Sequence, residues 1–344
     1  MSENLIEVSN LTKTFPVKQK MFSRLSFQGG KVGQAHKSIH AVTDVNFSIK
    51  KGEVFSIVGE SGCGKSTTAR TLIRLHEPDA GTIKFGGVDI SHLDEQSMQP
   101  FRRRMQMIFQ NPYSSLNPRH TVKNIIAEPI LFHHLAKNKK DAEEQALCLL
   151  DKVGLQQEQA DRYPHQFSGG QRQRISIARA LAVSPDFIIA DEPVSALDVS
   201  IQAQILNLLL DIKDEYNLSY LFIAHNLAVV KHISDRVAVM YLGRIVEVAS
   251  KNIIFNNPLH PYTKALFASI PVLGQKIKDP GITGDTPSNL IELSTGCCFY
   301  RRCAFAQPVC RELVPEFKEY ETGHQVACHF VAKGGVCNGI ERKN

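Results

Sequence analysis

Apolar and polar positions divide this chain into strand-like and helix-like stretches. Alternating or continuous apolar runs predict strands over residues 6–15 (IEVSNLTKTF), 41–50 (AVTDVNFSIK) and 54–59 (VFSIVG). The last runs through a glycine-rich turn into a helical pattern, STTARTLIRL, making one strand–turn–helix unit. GTIKFGGVDI reads as a strand pair around a glycine turn, and the basic stretch from Gln28 to Lys37 reads as a loop. From about residue 93 to 183 the period becomes helical, clearest in AEEQALCLLDKVGL and GGQRQRISIARALA. Strand character returns in FIIADEP, SYLFIAHN and DRVAVMYLGRIVEV, with the helical IQAQILNLLLDIKDEY between the first two. The pattern predicts an α/β core carrying an inserted helical subdomain, about 93–183.

Beyond about Asn256 the pattern weakens into proline- and glycine-rich stretches and then a cysteine-rich segment. Residues 1–255 and 256–344 therefore read as a main domain and a C-terminal extension too poor in apolar periodicity to fold well without a staple. Composition is that of a soluble globular chain: 344 residues, 43% apolar and 22% charged. No run approaches the ~18 apolar residues of a bilayer span, and the N-terminus lacks the apolar core of a secretory signal. A cytosolic location is the expectation. The net charge of +6 permits nucleic acid or anionic lipid without requiring either. Arg102–Arg104 and Lys137–Lys140 read as solvated basic faces. Six of the eight cysteines fall between Cys297 and Cys337, which in a cytosolic chain points to a metal or cluster site rather than disulfides.

Gly59 to Ser66 fits G-x-x-x-x-G-K-[ST] between a strand and a helix, the context a phosphate-binding loop needs. Backbone N–H groups across Gly59, Ser61, Gly62, Cys63, Gly64 and Thr67 would wrap ATP phosphates. Lys65 would reach the β- and γ-phosphates, and the Ser66 hydroxyl would ligate Mg²⁺. The apolar run 187–190 ends in Asp191 and Glu192, an expected water-mediated Mg²⁺ partner and an expected general base. Cys63 needs no side-chain role in phosphate contact, and Cys148 reads as a core residue of a helix.

With FSGGQRQR at 167–174 the chain resembles the ABC-type P-loop ATPases, with Phe167 where leucine is commoner. The resemblance spans about 5–250 and implies a RecA-like core with an antiparallel β edge. It makes Gln110 the γ-phosphate sensor and Mg²⁺ neighbour that faces the transporter, and His225 the switch histidine. Phe15 would stack on adenine. Ser168, Gly169, Gly170 and Gln171, with Asp198 of the SALD loop, would act in trans on ATP bound to another subunit. A serine and two glycines at a helix start make an anion-binding end. One loop and one signature per chain then require a second, similar ATPase subunit.

The chain lacks the coiled coil of DNA-repair relatives, the duplicated domain of translation factors and the fused membrane helices of exporters. PLHPYTKAL, G-C-x-F-x-x-R-C at 296–303 and NPYSSLNPR at 111–119 resemble dipeptide/oligopeptide (and nickel) importer ATPases, and FPVK the F-type subunit. That implies two membrane permease subunits, indirectly a solute-binding protein, no nucleic acid, and a peripheral place on the cytoplasmic face of the bacterial inner membrane. Peptide is the implied cargo, nickel or another small solute the alternative. A nucleic-acid-linked ATPase and a redox sensor built on the tail are rival classes. The family's cysteines map to Cys297, Cys303, Cys310 and Cys328, with gaps of five, six and seventeen residues rather than C-x₂-C knuckles. A [4Fe–4S] cluster, zinc and unmetallated thiols all stay open, with Cys298 a spare thiol or substitute ligand.

Overall fold

The computed structural model describes residues 4–17, 26–28, 31–33, 38–268 and 295–332. The DPGITGDTPSNL stretch, Cys337 and part of the N-terminal basic insert lie outside them. The strands are β1 (Asn4–Pro16), β2 (Ser26–Gln28), β3 (Lys31–Gly33), β4 (Ser38–Lys50), β5 (Val54–Val58), β6 (Ala80–Phe85) and β7 (Val88–Asp89). They continue as β8 (Met105–Ile108), β9 (Phe187–Asp191), β10 (Ser219–Ile223), β11 (Arg236–Tyr241), β12 (Arg244–Ser250), β13 (Lys318–Glu321) and β14 (His324–Val326). The helices are α1 (Lys65–Leu72), α2 (Glu95–Arg104), α3 (Pro112–Ser115), α4 (Val122–Phe132), α5 (Lys139–Lys152) and α6 (Gly169–Leu181). After them come α7 (Val199–Tyr216), α8 (Leu227–Ile233), α9 (Lys251–Asn256), α10 (Pro261–Ala268), α11 (Pro308–Glu312) and α12 (His329–Ala332). Among the described residues no helix is long and apolar enough to cross a membrane.

Contacts group the chain into two compact units. The first comprises residues 1–7, 48–58 and 84–237. Its centre is the parallel run β5–β10–β9–β8, with Leu221 opposite both Phe55 and Ile189, and Met107 also opposite Ile189. β5, β9 and β10 are buried at every position, as strands covered on both faces must be. The helical stretch expected over 93–183 is interrupted by β8. Met105, Met107 and Ile108 are buried there, and parallel pairing with β9 overrides a local pattern too short to declare a strand.

In α5 the buried residues are Ala142, Ala146 and Leu150, spaced by four. Cys148, two residues from Ala146, therefore turns to the opposite face and is exposed, correcting its reading as core. The basic runs carry ion pairs. Arg102 meets Glu95 at 2.5 Å and Arg104 meets Asp186 at 2.5 Å, while Lys139 and Lys140 face Glu143 and Glu144 one turn on.

The second unit comprises residues 8–47, 59–83 and 238–344. It holds most of β4, β1 and β6, adjacent in that order, and the antiparallel β12–β14–β13. The insert read as a loop includes a short antiparallel pair, Phe27 opposite Val32. The C-terminal segment has its own apolar cluster, Val326, Cys328 and Val331, against which Leu259, Tyr320 and Phe330 pack. Its staple is partly polar: His324 and Glu247, both fully buried, meet at 2.7 Å.

Candidate functional site: a phosphate loop and a strand-end acid cluster

The phosphate loop belongs to the second unit. Gly64 caps α1 at φ +111°, and a Cβ there would lie 2.2 Å from the Ala41 carbonyl oxygen. Only glycine fits, for both backbone and steric reasons. Lys65 is buried, and its ammonium donates to the carbonyls of Gly59 and Glu60, 2.9 Å each. The loop tip, Ser61 and Gly62, is exposed. Cys63 is buried and tied by its backbone, which donates to Glu60 and accepts from Gly243. Burial pushes its thiol pKa up, so it stays neutral. Phe15 is half-buried, edge-on to His76 at 5.3 Å and beneath the Lys13 ammonium at 5.6 Å.

The acid cluster belongs to the first unit, and parallel pairing explains it. β8, β9 and β10 run the same way, so residues just past their C-terminal ends share one sheet edge, the usual place for ligands in such sheets. Gln110 follows β8, Asp191 ends β9 with Glu192 directly after it, and His225 follows β10. Gln110 Nε2 donates to Glu192 Oε2 at 2.8 Å, and His225 Nδ1 stands 3.2 Å from the same oxygen. Three residues widely separated in sequence thus meet at one carboxylate oxygen. Glu192 is 15% exposed and has φ +48°, a left-handed conformation seldom adopted by glutamate. Its N–H donates to the Ile223 carbonyl at 3.0 Å, and Ser195 Oγ donates to its carbonyl at 3.1 Å. Backbone strain held in place by neighbouring strands is a mark of functional positions. Asp191 is buried beside it at 1% exposure.

The signature forms the start of α6. Ser168 and Gln171 make a reciprocal capping box: Ser168 N donates to Gln171 Oε1 at 2.9 Å, and Gln171 N to Ser168 Oγ at 3.3 Å. The N-cap reading of SGGQ is thus what the structure shows, Ser168 capping α6. Gly170 is packed so close that a Cβ would meet Ile201 Cγ2 at 2.6 Å. Ser168, Gly169, Asp198 and Val199 are exposed.

The four cysteines lie in the described C-terminal segment. Cys297, Cys310 and Cys328 are buried and Cys303 half-buried. Burial pushes Cys303 up to about 12 and Cys328 up to about 11, and the neighbouring thiols add to both shifts. The Cys298 side chain hydrogen-bonds Cys297 and pushes it up, burial adding to the effect, while Cys298 itself is lowered. Among the described residues, no three His, Cys, Asp or Glu side chains are placed to share one metal ion.

Sequence reasoning passed over Glu60, Tyr262 and Arg302. Glu60 sits at a variable position of the loop motif, and the other two lie 202 and 242 residues away, beyond any local spacing. The only available signal was that tyrosine and arginine recur in the quoted PLHPYTKAL and G-C-x-F-x-x-R-C segments.

Comparison with known proteins agrees with this geometry. The dimeric post-hydrolysis structure of the ATP-binding cassette MJ0796, bound to ADP and Pi, superposes with a TM-score of 0.62 at 29% identity, covering 72% of this chain and 98% of that one. CbiO1 of Clostridium perfringens shares the fold, with a TM-score of 0.61 at 23% identity, covering 74% of this chain and 92% of that one. The ABC transporter family model matches residues 42–195. Fold and site thus define an ATP-binding cassette ATPase. The model of the oligopeptide/dipeptide transporter C-terminal region matches residues 246–310. The oligopeptide transport ATP-binding protein AppF of Bacillus subtilis is 50% identical over 95% of this chain and 97% of its own. The dipeptide transport ATP-binding protein DppF of Escherichia coli is 45% identical over 96% of each. The chain belongs to the family of oligopeptide and dipeptide transport ATP-binding proteins.

Proposed function

We propose that this chain is the ATP-hydrolysing subunit of an importer of short peptides, working with two membrane permease subunits on the cytoplasmic face of the bacterial inner membrane. The observation that carries the hydrolytic reading is the convergence of Gln110 and His225 on Glu192 Oε2. A carboxylate held by two groups, on strained backbone, is preset to orient and deprotonate a water. Gln110 keeps that oxygen aligned, and His225, 56% exposed, can turn to a γ-phosphate. Lys65 exchanges its two loop carbonyls for phosphate oxygens when ATP enters, and α1 offers its N–H groups. Phe15 offers a ring face to adenine.

Ser66, Gln110 and Asp191 supply only hard oxygen donors, the set Mg²⁺ selects. These residues would hold Mg²⁺, which would supply neutralising charge for the β- and γ-phosphates. Ser168, Gly169 and Asp198 are exposed in the single chain and Gly170 and Gln171 half-buried, and together they act on ATP held by a second, similar subunit. The dimeric state of the 29%-identical cassette supports that arrangement. Residues 1–255 form the nucleotide-binding domain and 256–344 the extension.

Cys297, Cys303, Cys310 and Cys328 together supply four thiols, the donor set of a [4Fe–4S] cluster with one thiolate per iron.

The test is Glu192→Gln in the subunit reconstituted with its permeases. Hydrolysis and uptake of labelled di- and oligopeptides should fall at least ~10²-fold while ATP stays bound in a closed dimer. Undiminished turnover removes Glu192 from the role of base. Nickel uptake in place of peptide uptake by the wild-type assembly refutes the cargo.

A further inference from the structure

Glu60, the second residue of the phosphate loop, is held from three sides. Its carboxylate accepts from Arg302 Nη1 at 3.1 and 3.0 Å, and the same nitrogen reaches the Tyr241 hydroxyl at 3.3 Å. Its backbone N–H donates to the Tyr262 hydroxyl at 3.1 Å. Its carbonyl accepts from Lys65 Nζ and from the Cys63 N–H. Tyr262 and Arg302 both come from the C-terminal extension.

The anchors are themselves rigid. Tyr241 and Tyr262 are fully buried, with ring centroids 4.6 Å apart, and Phe299 packs against both at 5.2 and 5.4 Å. The Arg302 guanidinium lies within 6.0 Å of the Tyr241 and Phe299 rings. The Arg302 side chain is 9% exposed and that of Glu60 23%, so the ion pair is poorly screened. A phosphate loop binds through backbone N–H groups whose directions must be set before the ligand arrives. Here the exposed tip at Ser61 and Gly62 follows directly on an anchored residue.

We propose that Tyr262 and Arg302 are positioning residues of the nucleotide site, so that the C-terminal extension sets ATP affinity by holding Glu60. The proposal rests on Gly59–Ser66 being the phosphate site. It makes the segment around Cys297 and Cys303 a structural part of the ATPase, whatever those thiols bind.

The test uses the full chain, with MgATP affinity read by titration calorimetry beside the thermal midpoint. Arg302→Gln and Tyr262→Phe should each weaken MgATP about tenfold, the scale of losing one charge-assisted or buried hydrogen bond from a preset site. Arg302→Lys should recover part of the loss, because the side-chain bonds to Glu60 and Tyr241 leave from one nitrogen and the ammonium keeps the charge, while the guanidinium's ring contacts are lost. Glu60→Gln combined with Arg302→Gln should bind no worse than Arg302→Gln alone, whereas independent structural effects would add. Unchanged affinity in folded Arg302→Gln, or additive losses in the double variant, overturns the proposal. If Arg302→Gln does not fold, Tyr262→Phe, which removes one oxygen, decides it the same way. Lys65→Ala separates the two readings. Wild-type affinity in that variant defeats the phosphate site itself, while its loss beside intact binding in Arg302→Gln and Tyr262→Phe defeats only the positioning role.

Discussion

Replacing Glu247 with leucine measures how firmly the C-terminal segment is fastened to β12. The Glu247 carboxylate is fully buried and accepts three hydrogen bonds. Leu259 N and His324 Nε2 reach Oε1 at 2.7 Å each, and His260 N reaches Oε2 at 3.0 Å. Among the described residues His324 Nδ1 makes no hydrogen bond, so Nε2 is where the imidazole is anchored. Leucine nearly conserves volume but orphans three buried donors, each costing about 1–3 kcal/mol. Side-chain relaxation and water entry keep the sum near the low end, about 3–5 kcal/mol, the range for removing one partner of a buried pair.

That loss is a large share of the ~5–15 kcal/mol that holds a domain together. Glutamine keeps one carbonyl oxygen and turns an NH₂ toward a donor, so its loss should be about 1–3 kcal/mol. Urea unfolding followed by far-UV circular dichroism gives both values, and limited proteolysis shows whether residues 295–332 loosen first. A leucine variant less than ~1 kcal/mol below wild type, or a glutamine variant equal to leucine, would refute the three-donor account.

Two further perturbations are as specific. Gly64→Ala forces a Cβ to within 2.2 Å of the Ala41 carbonyl oxygen at φ +111°. It should cost about 2–4 kcal/mol, with nucleotide binding lost, as read by melting with and without MgATP. Asp79 is partly buried, which disfavours its charge, but bonds from Lys13 and Thr14 outweigh that and hold it below the usual carboxylate range. A folded pKa depressed in this way stabilises above the unfolded value near ~3.9 and is lost as pH falls through the folded one. Asp79→Asn should therefore cost no more than about 1 kcal/mol at neutral pH, since its side chain is 38% exposed. The gap should narrow as pH falls below the unfolded value of ~3.9 and through the folded one, in urea midpoints taken at neutral and acid pH.

The phosphate loop, the signature and the acidic strand end were legible because each depends on local spacing. A buried strand, glycines at required positions and a helix start lie within a dozen residues of one another. β8 was not legible: four residues inside a helical stretch carry no period of their own, and their pairing partner β9 begins at Phe187. The orientation of Cys148 was in principle readable from the spacing of Ala142, Ala146 and Leu150, since a helix cannot turn residues 146 and 148 to the same face.

By itself, then, the sequence marked out the candidate phosphate-binding residues, because that chemistry is written in backbone freedom and short-range order. Tertiary structure alone decided that Gln110 and His225 share one oxygen of Glu192, and that Arg302 and Tyr262 grip Glu60. Those meetings depend on parallel strand pairing and on packing of a distant segment. Both close long loops, whose cost is repaid by burial rather than by anything a local pattern expresses.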